Sequence, residues 1–158
     1  MKHILISGIP GTGKTKIGEK LALNYGFIHI DFEDEANLKS YYQNIQAYTD
    51  SLLKREKVVI TWGFLPEEQA AHVLELKRRG FMLIWFDGNR PAAFREYMKR
   101  GTVDEIFFHI QMWRILSSNI IETIQPTLVN TFDADGNFRK KDDIIKESLK
   151  HENYSKAS

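Results

Sequence analysis

The chain has 158 residues, of which 42% are hydrophobic and 27% charged, with 10 Gly, 4 Pro, no Cys and a formal net charge of +1. That length fits one domain at roughly one per 150 residues, and the balance excludes collagen-like and disordered classes. The near-zero charge gives no broad field for a nucleic-acid backbone or an anionic membrane, so neither is an expected partner and any anion site must be local.

Ile4-Leu5-Ile6 reads as a short buried strand stopped by Ser7-Gly8. Thr15 to Tyr25 reads as a helix, with Ile17, Leu21 and Tyr25 at spacing four and Gly26 as its stop. Phe27 to Asp31 is a second strand. Residues 33 to 56 are polar with apolar points at Leu38, Tyr42, Ile45, Leu52 and Leu53, which predicts one or two helices. Val58-Val59-Ile60 is a third strand. Pro66 suits a first helical position, and the helix it opens carries Ala70, Val73, Leu74 and Leu76 and ends in Lys77, Arg78, Arg79 and Gly80.

Phe81 to Phe86 is apolar throughout, as expected of a strand buried on both faces. Pro91 opens a helix to about Lys99, interrupted by Gly101-Thr102. Asp104 to about Thr123 reads as one longer helix whose apolar stripe includes Ile106, Ile110 and Trp113, which places Trp113 in the core. Thr127 to Thr131 is a fifth strand, Asp133 to Asn137 a loop, and Lys141 to Leu149 a last helix. The expected organisation is one domain over residues 1–150 with a polar tail over 151–158. Strands alternating with helices predict an α/β fold with a five-stranded parallel sheet and helices on both faces. No apolar run approaches the roughly 18 residues of a membrane span, and the N-terminus lacks a signal-peptide core, so the expected location is cytoplasmic. Without Cys there is no disulfide framework, thiolate metal site or thiol nucleophile, and the five His show no metal-ligand spacing.

Gly8-Ile9-Pro10-Gly11-Thr12-Gly13-Lys14-Thr15 fits G-x-x-x-x-G-K-[ST] at every fixed position, between a strand and a helix. Glycines let the backbone curl so that successive N–H groups point at phosphate oxygens. The helix N-terminus adds partial positive charge. Lys14 is the expected ligand of the β- and γ-phosphates, and the Thr15 hydroxyl a ligand of Mg²⁺. Gly8, Gly11, Thr12, Gly13, Lys14 and Thr15 are thus the candidate nucleotide-binding residues, and the fold is expected to be a P-loop NTPase fold.

In this loop, and in element order and length, the chain resembles the small P-loop kinases of the adenylate kinase and shikimate kinase type. Asp31-Phe32-Glu33 resembles the Asp-x-Asp that shikimate kinases carry after the second strand. By that resemblance Asp31 binds Mg²⁺ and orients or deprotonates the acceptor hydroxyl. Glu33, Asp34 and Glu35 read instead as a solvated, helix-capping turn. The run Asp87 to Arg100 resembles the family's passage into its lid, which implies that Arg95 and Arg100 offset charge on the transferring phosphate. Asp133 to Gly136 resembles the loop that packs against adenine, so Asp133 and Gly136 are candidate nucleotide contacts. Trp62 stands where adenylate kinases have Asp, at a strand end where ligands bind, and either stacks on an acceptor or packs in the core.

The resemblance implies an ATP- and Mg²⁺-dependent phosphotransferase for a small-molecule acceptor. An NTPase or nucleotide switch acting on a protein or RNA partner is the alternative class, and a nucleotide-binding module without turnover is a third.

Overall fold

The computed structural model describes residues 2–101 and 103–156, with no side chains described beyond residue 150. Thr102, in the expected lid, the 151–156 side chains of the expected tail, and Ala157 and Ser158 lie outside what is described. Five strands, β1 (Lys2–Gly8), β2 (Ile28–Asp31), β3 (Lys57–Thr61), β4 (Met82–Asp87) and β5 (Thr127–Asn130), alternate with helices. The helices are α1 (Lys14–Asn24), α2 (Glu35–Gln43), α3 (Ile45–Leu53), α4 (Pro66–Arg78), α5 (Arg90–Met98), α6 (Glu105–Ser117), α7 (Ile120–Ile124) and α8 (Lys141–Lys156). The last helix therefore runs on past Leu149 into the expected tail.

All strands are parallel, in the order β2-β3-β1-β4-β5. From β1 the chain passes to one edge and returns through β3; from β3 it crosses over β1 to β4. The strand order thus reverses around β1, and ligands of open α/β sheets bind outside the carboxyl ends of strands at such a point.

Alternation along β1 builds the two main cores. Ile4 and Ile6 face α1 and α8, packing with Ile17, Leu21, Ile144 and Ile145. Leu5 faces the other way, into a core that includes Tyr41, Leu52, Val73, Leu76 and Ile120 from the helices of the opposite face. A smaller core joins Ile9 to Ala93 and Tyr97 of α5 and Phe108 and Met112 of α6, and so seats the loop between β1 and α1 against those helices.

Two expectations are corrected, and the open alternative for Trp62 is decided. The helix expected over 104–123 is two helices: Asn119 adopts φ 53° between them, a left-handed conformation that Asn tolerates and that a continuous helix does not allow. Trp113 is 66% exposed instead of buried. The buried stripe of α6 is Phe108, Gln111 and Met112, with Ile115 partly buried, whereas Ile106, Ile110 and Trp113 face outward. A helix apolar on both sides has no periodicity to say which side is inward. Trp62 is 2% exposed and packs edge-on against Phe32, Tyr41 and Phe64, so its ring belongs to the core. Trp85 is buried, as its apolar strand predicts. Among the described residues no helix is long and apolar enough to cross a membrane.

Candidate active site

The loop between β1 and α1 is anchored before any ligand arrives. Ile9 N–H donates to Phe86 O at 3.1 Å, and the buried Thr12 hydroxyl donates to Ile9 O at 2.6 Å. The Thr12 side chain is thus spent on holding the loop. Gly11 has φ 82°, and a Cβ there would sit 2.0 Å from Ala93 O. Gly13, at φ 84°, caps α1 and lies under the ring of Phe138, 2.4 Å from where a Cβ would be. Only glycine meets both the dihedral and the contact at these two positions.

This curl gives Lys14 its place. Its Nζ donates to the loop carbonyls of Ile9 at 3.1 Å and Gly8 at 3.4 Å. Burial lowers its pKa from 10.5 to about 8; Glu33 opposes that shift, Arg100 adds to it, and Asp31 opposes it. The same three side chains that act on Lys14 all line one cavity of about 690 Å³ with the loop. That volume is within the usual few-hundred to roughly 1,000 Å³ of small-molecule sites.

Asp31, at the end of β2, is the hub of the rim. Its Oδ2 accepts from Thr15 Oγ1 at 3.4 Å, and its Oδ1 accepts from Thr61 Oγ1 at 3.2 Å and from Glu33 N–H at 3.0 Å. Thr61 Oγ1 also lies 2.8 Å from His29 Nε2. Burial lowers the His29 pKa, with Asp31 pulling the other way. Thr15 and Asp31 bring a hydroxyl and a carboxylate oxygen together, a hard-oxygen pair that fits Mg²⁺, which commonly takes one or two protein oxygens and completes its shell with phosphate and water. Among the described residues there is no group of three or more His, Cys, Asp or Glu that could hold a metal ion by itself.

The other candidates divide. Arg100 lines the cavity, with its guanidinium 5.6 Å from the Tyr97 ring centroid. Arg95 is not part of that wall; its Nη2 donates to Gly136 O at 3.4 Å. Gly136 turns at φ 78°, and the Asp133 carboxylate accepts from the N–H groups of Asp135 and Asn137, both at 2.9 Å. Asp133 and Gly136 therefore shape a turn outside the cavity wall, and the turn delivers Phe138 to that wall.

Three cavity residues had weak or misread sequence signals. Glu33, read as solvated, accepts a 2.5 Å hydrogen bond from Gly63 N–H and lies next to Lys14. Its place two residues after Asp31 was the available signal. Gln111 is a polar residue inside the buried stripe of α6, a break in pattern that a stripe count can find. Phe138 follows Gly136 by two residues, and only the tertiary fold puts it against Gly13.

No family model matches the sequence, and no curated protein matches it. Solved structures do. A gluconokinase from Sinorhizobium meliloti 1021 is 18% identical, with 94% of this chain and 89% of that one aligned at a TM-score of 0.61. A shikimate kinase from Acinetobacter baumannii, in complex with shikimate, is 15% identical over 94% of this chain and 92% of its own, also at 0.61. A shikimate kinase from Bacteroides thetaiotaomicron is 16% identical over 94% and 96%, at 0.58. At these identities the likeness is one of fold: the chain has the α/β P-loop NTPase fold that these small kinases share.

Proposed function

We propose that the protein is an ATP- and Mg²⁺-dependent phosphotransferase acting on a small-molecule acceptor. The observation that carries this reading is the convergence of Lys14, Thr15, Asp31, Glu33 and Arg100 on one cavity of about 690 Å³. The relatives that share the fold include a gluconokinase and shikimate kinases, which lends the same reading support.

The loop amides and Lys14 bind the β- and γ-phosphates. Thr15 and Asp31 hold Mg²⁺, which supplies charge neutralisation on those phosphates when bound. The acceptor hydroxyl oxygen forms a bond to the γ-phosphorus as the bond from that phosphorus to the β–γ bridging oxygen breaks, and ADP leaves. The hydroxyl proton passes to a carboxylate of the Asp31–Glu33 pair. Arg100 offsets the negative charge of the transferring group. Arg95 and the 133–137 turn lie together beside Phe138 and form the surround of the nucleotide base.

The test is ADP production from Mg²⁺ and ATP with and without a panel of small hydroxyl compounds that includes shikimate and gluconate, for wild type and Lys14→Ala. Acceptor-dependent turnover in wild type, lowered about 10²–10³-fold in the variant, is the expected result. Equal turnover in Lys14→Ala contradicts the reading. Hydrolysis indifferent to every small acceptor but raised by a protein or an RNA replaces it with a nucleotide switch.

A further inference from the structure

One face of α6 is apolar and open to solvent. Ile106, Phe107, Ile110, Trp113 and Leu116 are between 42% and 66% exposed. Ile106, Ile110 and Trp113 follow at spacings of four and three, so they form a stripe along the helix, with Phe107 and Leu116 on its two sides. The opposite side of α6 is already packed, through Phe108 and Met112. A helix apolar on both sides is stable in water when both sides are covered.

The size of the stripe points to its cover. At roughly 200 Å² for a large apolar side chain, these exposures amount to about 550 Å². That lies near the top of the range for the largest apolar patch of a monomer, about 300–600 Å². It also matches the need of a dimer: a standard interface takes about 800 Å² from each partner, about 65% of it apolar in homodimers, or about 520 Å².

The surrounding charges suit a second copy of the chain. Glu105 and Arg114 are the only Asp, Glu, Lys or Arg residues of α6. Their separation puts them on opposite flanks, which leaves the stripe itself uncharged. Arg114 has no ion-pair partner among the described residues. Lys99 and Arg100, just before α6, are engaged elsewhere: Lys99 with Glu96 at 2.7 Å, Arg100 in the cavity against the Tyr97 ring. A net charge of +1 gives two copies no broad repulsion. A lipid surface is a poorer match, because interfacial helices carry rows of Lys and Arg beside their apolar face, and here Asp104 and Glu105 begin the helix.

We infer that the α6 stripe is the interface of a homodimer, occupied by a second copy of this chain. A two-fold axis through the middle of the stripe runs the two helices antiparallel and sets Ile110 beside its counterpart. Each flank meets the same flank with its ends exchanged. Arg114 then lies beside Phe107 of the second copy, cation against ring, and the two Glu105 carboxylates fall at opposite ends. Phe107 also lines the cavity, so the interface borders the candidate site without using its charged residues. Pairing through α6 is independent of the phosphotransferase reading.

Sedimentation velocity of the full chain over about 0.1–100 μM measures the assembly. A species of twice the 18.4 kDa chain mass, dissociating on dilution, is expected. Trp113 reports which face pairs, because Trp62 and Trp85, the other two Trp, are buried. Its fluorescence is expected to move to longer wavelength as the dimer dissociates. Ile110→Glu, which sets two carboxylates at the axis, is expected to weaken dimerisation at least about 100-fold. Trp113→Gln, which adds no charge, is expected to weaken it at least about tenfold. Leu23→Glu, at an exposed position of α1 on the other face of the sheet, is expected to leave it unchanged. Circular dichroism checks that each variant is folded. Because a dimer makes apparent stability depend on concentration, unfolding of variants on this stripe is compared on protein diluted to the monomer. A monomer at every concentration overturns the interface. So does a dimer that Ile110→Glu and Trp113→Gln leave intact, or one that dissociates with no change in Trp113 emission. Monomers that float with vesicles of phosphatidylcholine and phosphatidylserine overturn it too, and assign the stripe to lipid. Phosphoryl transfer is measured separately, so none of these results decides that reading.

Discussion

Lys14 is an ammonium held where water is scarce, with its pKa lowered to about 8 by burial. A triphosphate binds the charged form, so binding draws a proton onto Lys14 and raises its pKa. The sign follows directly. Affinity for ATP is greatest below about pH 8 and falls as pH rises through that value, by up to about tenfold per unit. Titration of ATP between about pH 7 and pH 9.5 measures it; a flat profile contradicts the assigned environment of Lys14. At this scale the loop was legible from sequence, because its chemistry is local: each residue's role follows from its neighbours in the chain. The place of Glu33 was not, because it depends on a contact with Gly63, thirty residues on, and neither was the burial of Gln111, which depends on how α6 packs. Thr12 was legible as part of the motif but not as the pin that holds it, since the acceptor of its hydroxyl depends on how the loop closes.

The helices show how periodicity decides some faces and not others. In α4 Val73 and Leu76 are buried as the spacing predicts, whereas Leu74 beside them is exposed. In α6 apolar residues occupy two sides, and the tertiary fold chose Phe108 and Met112 for burial over Ile110 and Trp113. The two tryptophans that sequence alone misplaces or leaves open give opposite mutational outcomes. Trp113→Gln is expected to change stability by less than about 0.5 kcal/mol, as for an exposed substitution away from special contacts. Trp62→Ala is expected to cost about 3–5 kcal/mol, since its ring packs among Phe32, Tyr41 and Phe64. Denaturant unfolding of the two variants distinguishes these cases; a large loss for Trp113→Gln contradicts the orientation of α6.

For the whole molecule, the net charge of +1 hides a local gathering of both signs: Lys14, Lys16, Lys99 and Arg100 share one cavity wall with Glu19, Asp31, Glu33 and Glu96. The reversal of strand order around β1 brings the ends of β1 and β2 and the segment after β3 together at one edge of the sheet, and the end of α5 closes on the same cavity. Element alternation made the parallel sheet legible from sequence. The order β2-β3-β1-β4-β5 was not, since parallel crossovers fix handedness and leave neighbour choice to packing. The central claim is that this cavity is a triphosphate site built on Lys14. Calorimetric titration of Mg²⁺ with ADP and ATP into wild type and Lys14→Ala tests it most directly. Binding of both nucleotides to the wild type is expected, with a loss of affinity of at least about tenfold in the variant, greater for ATP than for ADP. Equal affinities in the two proteins would contradict it.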